Sequence, residues 1–307
     1  MATATQATNR QILVGRLQEA SVDVEILGYV VFWNLRGVDV TQDQFATMLK
    51  DCGLPEKYAR EHNYRSAFTR ALRNMEEKRI IRRVSETEDL LIVQFTAEEL
   101  VKFGGDHLQY DQETLIHVDK KIYRKTKDFG AALTQGKVEI KAKILEYFER
   151  EKIRYNSSDM TRYIQNILGD KADLVSLRQN GSIYFVPVGY QATMEQVIAL
   201  VNGFGGGSIM EYFPIPNVKS SRTTIKNAFV DEVDSLLARM DKEVEAVEGG
   251  EKKVTDVWSV TKLNKIRSIL ERVENYNTIL TADDNKRFQD GFTALEKRVS
   301  GGRKLVV

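Results

Sequence analysis

From Thr223 to Arg298 the apolar residues recur at spacings of three or four. They are Ile225, Phe229, Val233, Leu236, Met240, Val244 and Val247. Beyond Gly249-Gly250 come Leu263, Ile266, Leu270 and Val273, then, with Asn277 in step, Leu280. This period keeps one face of a helix apolar and would scatter over both faces of a strand. Two such helices joined by a short glycine turn predict an antiparallel hairpin, each seam buried on the other. A shorter helix, about Ala282 to Val299, carries Phe288, Phe292, Leu295 and Val299. Residues 222–300 have two open uses: an intramolecular hairpin or coiled coil, or a surface for self-association or a protein partner. Their polar faces mix both charge signs, which suits protein contact.

The region before it, about His107 to Ser221, reads as an α+β module. Asn180-Gly181 lies between Leu174–Gln179 and Ser182–Val186, the strongest short-range hairpin signal, because both turn residues favour positive φ. Thr114 to Thr126 alternates and predicts a second hairpin turning at Asp119–Lys121. Val138 to Lys152 predicts a helix. Ser157 or Ser158 is placed to cap the next one, which carries Met160, Tyr163, Ile164 and Ile167. Thr193 to Val201 reads as helix, Gly203–Ser208 as a break, and Ile209 to Ile215 as a strand.

Closer to the N-terminus, Ile26 to Leu35 is apolar and either strand or helix. Thr41 with Gln44 is a capping-box pattern that starts a helix, stopped by Gly53-Leu54-Pro55. A second helix is expected from Tyr64 to Arg79, with Ala67, Phe68, Ala71, Leu72 and Met75 as its apolar stripe. Ile80–Val84 and Leu90–Phe95 read as strands around the polar turn 85–89. Helix, connection, basic helix and ribbon together resemble a winged helix-turn-helix, although the 53–63 connection is long for a DNA-binding turn. The helix–helix–hairpin order recurs in the central module, so a second winged-helix-like unit stays open without a residue-level repeat. The expected organisation is α+β: a flexible tail at 1–10, a winged-helix-like domain at 11–105, the α+β module at 106–221, the helical hairpin at 222–300 and a tail at 301–307.

The runs Phe68-Thr-Arg-Ala71, Leu91-Ile-Val-Gln-Phe-Thr96 and Val175-Ser-Leu-Arg-Gln-Asn-Gly-Ser-Ile-Tyr-Phe-Val-Pro187, followed by a helical hairpin, carry a likeness. Over about residues 25–245 the chain resembles an uncharacterised family of bacterial and bacteriophage proteins. The resemblance implies a multi-element α+β fold and a bacterial or phage setting. It implies no activity and no site residue.

Composition removes most chemistry. Lys plus Arg number 45 against 44 Asp plus Glu, which excludes a uniformly basic nucleic-acid coat and an acidic disordered chain. One cysteine, Cys52, excludes an intramolecular disulfide framework and fits a reducing compartment. The three histidines, 62, 107 and 117, are scattered and form no His-Glu-x-x-His, so no metal is expected. The 203–208 glycine run lacks the lysine of a phosphate loop and follows a helix instead of preceding one, so no nucleotide or other cofactor is expected. Cys52 reads as a small core or capping residue; a thiol paired with His62 is the catalytic alternative. The N-terminus carries no signal-peptide core, and the run 26–33 is too short to span a bilayer. No membrane association and a cytoplasmic location are expected, in a bacterial host on the family resemblance.

The remaining functional signal is charge. Between Lys57 and Arg83 stand nine cations against Glu61, Glu76 and Glu77. Arg65, Arg70, Arg73, Arg82 and Arg83 are the candidate phosphate contacts of a DNA- or RNA-binding face, with Asn63 and Asn74 as supporting polar groups. The bland alternative is a solvated helix face balanced by acids elsewhere. A second cluster, Lys120, Lys121, Arg124, Lys125 and Lys127, either extends the track or guards an edge strand. The expectation is a non-enzymatic, nucleic-acid-associated binding protein. A protein-interaction scaffold is the second class. An enzyme whose site assembles only in three dimensions is the third.

Overall fold

The computed structural model describes residues 25–75, 79–102, 106–178, 181–250 and 255–302. The expected tail at 1–10, the start of the expected domain at 11–24 and residues 303–307 lie outside them. Strand β1 is Ile26–Asn34 and β2 is Asp39–Thr41. Helix α1, Gln42–Asp51, starts with the expected reciprocal cap: the Thr41 hydroxyl accepts from the Gln44 N–H, and the Gln44 side chain accepts from the Thr41 N–H. Gly53, with φ of 71°, lets the chain leave it. Helix α2, Tyr64–Arg73, is capped by Asn63 and buries Ala67, Phe68 and Ala71. It ends six residues before the expected Arg79, where β3 (Arg79–Glu86) begins.

Strands β4 (Leu90–Lys102) and β5 (Asp106–Asp119) pair antiparallel along their length. The hairpin expected at Asp119–Lys121 is instead the start of helix α3, Lys120–Thr126. The Asp119 carboxylate accepts the Lys121 and Ile122 N–H groups, which closes a helical turn where alternation suggested a strand. Helix α4 (Phe129–Ala132), strand β6 (Leu133–Gln135) and helix α5 (Val138–Lys152) follow. After β7 (Arg154–Asn156), helix α6 spans Ser157–Lys171. Its cap is Asn156 and not Ser157 or Ser158. Asn156 accepts from the Asp159 N–H, and Asp159 accepts from the Asn156 N–H. Ser157 uses its hydroxyl to accept from the Val38 N–H.

Strands β8 (Val175–Ser176) and β9 (Tyr184–Pro187) form the hairpin marked by Asn-Gly. The Leu177 N–H donates to the Ile183 carbonyl beyond them, while Asn180 of the expected turn lies outside the described residues. Gly181 is not among the residues of positive φ. Its missing side chain matters for a different reason: a Cβ there would stand 2.8 Å from the Arg178 stem. Helix α7 (Gln191–Gly203), strand β10 (Ile209–Pro216) and helices α8 (Lys219–Glu248), α9 (Asp256–Asn275) and α10 (Ala282–Gly302) complete the chain. Helix α10 runs through Gly302, into the expected tail.

The chain divides into two compact units, 36–161 and 1–35 with 162–307. In the first, the antiparallel sheet β3-β4-β5-β6 carries α2, α4 and α5 on one face. Phe68, Val93, Phe95, Ile116, Val118, Ile144 and Phe148 are buried there around Phe129, whose ring stacks on Phe148 at 3.8 Å. β4 and β5 pair within this sheet on either side of the 105/106 boundary at which a winged-helix-like domain was expected to close. Strands β2 and β7 form a separate ribbon.

In the second unit the sheet order is β10-β1-β9-β8. β1, expected with the N-terminal elements, is a central strand between two strands more than 140 residues away in sequence. Close approach to β9 requires Gly28, where an added Cβ would meet the Val186 carbonyl at 2.4 Å. Because α5 and the β8–β9 hairpin fall in different units, the central elements do not make a second winged-helix-like unit. The C-terminal helices α8 and α9 form the expected antiparallel hairpin, and α10 joins them in a three-helix bundle. Pairs Lys262–Glu243 and Arg272–Glu232 set α9 antiparallel to α8. Pairs Arg287–Asp234 and Arg298–Glu248 set α10 parallel to α8. Their seams, from Ile225 to Val299, are buried in one core with Val175 and Phe185 of the sheet.

Candidate nucleic-acid interface

The five candidate arginines separate into three environments. Arg70 turns inward. Its guanidinium makes two hydrogen bonds to the Asp159 carboxylate, at 2.5 and 2.6 Å, and Asp159 is 1% exposed. Arg70 also donates to the Arg154 carbonyl at 3.2 Å, a carbonyl shared with His62 Nε2 at 2.8 Å. The bidentate geometry and the second use of Asp159 in the α6 cap make this a structural ion pair. Arg70 is therefore not an open phosphate contact. Its partner lies 89 residues away, on another helix, which no local charge pattern reveals.

Arg65 and Arg83 share Glu86. Arg83 donates at 2.7 Å, Arg65 forms a second ion pair, and Lys120, only 5% exposed, donates at 2.9 Å. The Lys120 ammonium also donates to the Thr87 carbonyl at 2.6 Å. Hydrogen bonds from Lys120 and then Arg65 hold the Glu86 carboxyl down to about 2, against the usual carboxylate range. Three cations thus meet one anion. The guanidiniums remain open on their far sides: the Arg65 and Arg83 side chains are 59% and 53% exposed. Arg73 and Arg82 are exposed and have no partner among the described residues. Arg65 and Arg73, eight residues apart on α2, are separated by about 12 Å along the helix axis and by about 80° around it.

Asn63 and Asn74 are occupied. The Asn63 side chain accepts from the Ser66 N–H as the α2 cap, and the Asn74 amide donates to Glu151 at 2.9 Å. In the second cluster Lys120 is buried, Lys121 pairs with Asp89 at 2.8 Å, and Arg124 donates to the Glu88 carbonyl at 3.0 Å. Lys125 and Lys127 stay exposed, Lys127 over the Tyr123 ring. The acids of the turn 85–89 thus reach both basic clusters. Sequence reasoning read that stretch only as a polar turn. Its run of Glu86, Glu88 and Asp89 was the available signal.

Other candidates resolve into local structure. Burial and then Asp51 push the Cys52 thiol up, away from the thiolate a nucleophile needs. In the 203–208 loop, Gly205, Gly206 and Gly207 all adopt positive φ in the turn from α7 into β10. Among the described residues, no group of three or more His, Cys, Asp or Glu is placed to hold a metal ion, and no helix is long and apolar enough to cross a membrane.

Comparison with known proteins adds one match. The model of a family of unknown function (DUF6744) matches residues 26–301. No curated protein and no solved structure matches.

Proposed function

We propose that this chain, which belongs to that family of unknown function, is a non-enzymatic nucleic-acid-associated protein contacting phosphate through Arg65, Arg73, Arg82 and Arg83. One observation carries the reading: on α2 and β3, four exposed guanidiniums are opposed, among the described residues, by the single carboxylate of Glu86, which Lys120 also engages. A phosphodiester strand supplies the missing negative charge and releases counterions as it does so. The bacterial or phage setting and the cytoplasmic location belong to the same proposal. The test is fluorescence anisotropy of labelled single- and double-stranded oligonucleotides from 25 to 200 mM salt. The paired substitution Arg73→Ala and Arg82→Ala, which breaks no ion pair among the described residues, should weaken binding. On duplex DNA it should flatten the log–log salt slope by roughly two units. No binding by the unaltered chain at 25 mM salt refutes the proposal.

A second reading, docking of a protein partner within residues 222–300, is favoured by Val257 and Val260. Both are exposed on the first turns of α9, Val257 at 77%, while the apolar seams are buried in the bundle. Val257→Asp with Val260→Asp should abolish self-association in sedimentation velocity if that turn is the contact. An unchanged mass distribution from an assembled wild type counts against it.

A further inference from the structure

A groove of about 810 Å³ opens between β8 and α8. Its volume lies in the range of small-molecule sites, roughly 300–1,000 Å³. β8 is the last strand of its sheet, and its outward backbone is satisfied by side chains instead of another strand. The Ser176 N–H donates to the Glu232 carboxylate at 3.4 Å, and the Leu174 carbonyl accepts from Arg272 at 3.1 Å. Glu232 and Arg272 are themselves paired at 2.9 Å. This pair stands where a further strand would lie and leaves space beside it.

The lining has two kinds of surface. Leu174, Leu177, Ala228 and Leu236 supply an apolar floor. Arg178 and Arg239 also line the groove; both are exposed, with no partner among the described residues. Lys242, likewise exposed and unpaired, borders an adjoining depression that shares Ser235 and Arg239. On the acidic side, Glu232 is spent on Arg272, which leaves Asp231 as the one unpaired carboxylate among the described residues of the lining. Asp231 precedes Arg239 by eight residues on α8, so about 12 Å of helix axis separates them. The Arg178 stem is seated over Gly181.

We propose that this groove binds an amphipathic organic anion, its apolar body on Leu174, Leu177 and Leu236 and its acidic head on Arg178 and Arg239. The proposal stands apart from the nucleic-acid reading, whose residues belong to the other unit. A nucleic acid would bring phosphate but no apolar body for the leucine floor.

The experiment titrates 8-anilinonaphthalene-1-sulfonate into the full chain and then displaces it with decanoate or decylamine. The uncharged N-phenyl-1-naphthylamine serves as the neutral counterpart. Saturable sulfonate fluorescence at one site, displaced by decanoate and not by decylamine, is expected. Arg178→Gln with Arg239→Gln should weaken both anions roughly tenfold or more, the scale of lost hydrogen bonds from charged donors, with unchanged circular dichroism and Tm. Gly181→Val, which crowds the Arg178 stem, should give a smaller loss in the same direction. Any of four results overturns the proposal: no saturable binding, equal binding by the double variant, equal affinity for the neutral naphthylamine, or displacement by an oligonucleotide but not by decanoate.

Discussion

Replacing Arg70 with Ala should unfold the 36–161 unit far more readily than replacing any other arginine of α2. The substitution removes both hydrogen bonds to Asp159 and leaves a carboxylate that is 1% exposed facing a void. Breaking a buried pair by removing one partner costs about 3–5 kcal/mol. The lower end applies here. Asp159 keeps the Asn156 N–H at 2.9 Å, and the Arg70 side chain is 18% exposed, so water reaches the vacated space. For a unit of this size, a loss of about 3 kcal/mol lowers Tm by roughly 12 °C. Trp33 and Trp258 both lie in the other unit, so tryptophan fluorescence is the wrong probe. Urea titration followed by peptide-resolved hydrogen exchange reads the right segment. Arg73→Ala, at an exposed and unpaired position, should stay within about 0.5 kcal/mol of wild type. Arg70→Met combined with Asp159→Asn should recover much of the loss, because no uncompensated charge remains. An Arg70→Ala protein within about 1 kcal/mol of wild type, yet defective in oligonucleotide binding, would refute the structural assignment and return Arg70 to the surface.

Two further outcomes follow from the same structure. Glu86 is held down to about 2 by Lys120 and Arg65, so its ionised form stabilises the fold above the ordinary carboxylate range. That contribution is lost as pH falls from about 4.5 towards 2. Glu86→Gln should therefore flatten the decline in urea midpoint across that window, and an unchanged acid profile would dismiss the cluster. Gly28→Ala places a Cβ 2.4 Å from the Val186 carbonyl and against the Phe185 ring, so β1 must move from β9. A cost near the upper end of about 1–3 kcal/mol is expected, since the blocking atom is backbone. Equal stability in thermal unfolding would mean that the two strands are not packed this closely.

Where the determinants were local, the sequence alone sufficed. The Thr41–Gln44 cap marks the start of α1, because both partners lie within one turn. The seam Ile140, Ile144 and Phe148 belongs to a helix whose bounds match those expected, Val138–Lys152. The polar turn between β3 and β4 and the hairpin around Asn180-Gly181 were legible for the same reason. Locality also explains the errors of reading. The residues after Asp119 read as the second arm of a hairpin until the Asp119 carboxylate, at the end of β5, is seen to accept two N–H groups of α3.

Only the tertiary structure decided which distant groups meet. An apolar run such as Ile26–Asn34 needs partners on both edges, and nothing in it names β9 and β10. Three amphipathic helices bury their seams better as a bundle than as a hairpin with a spare, but which seams face each other depends on how the chain returns. Charge shows the difference most directly. Nine cations between Lys57 and Arg83 read as one basic stretch, yet Arg70 is bound to Asp159 and Arg65 to Glu86. Composition along a chain counts charges, whereas Coulomb attraction and desolvation act through space, and only the fold sets those distances.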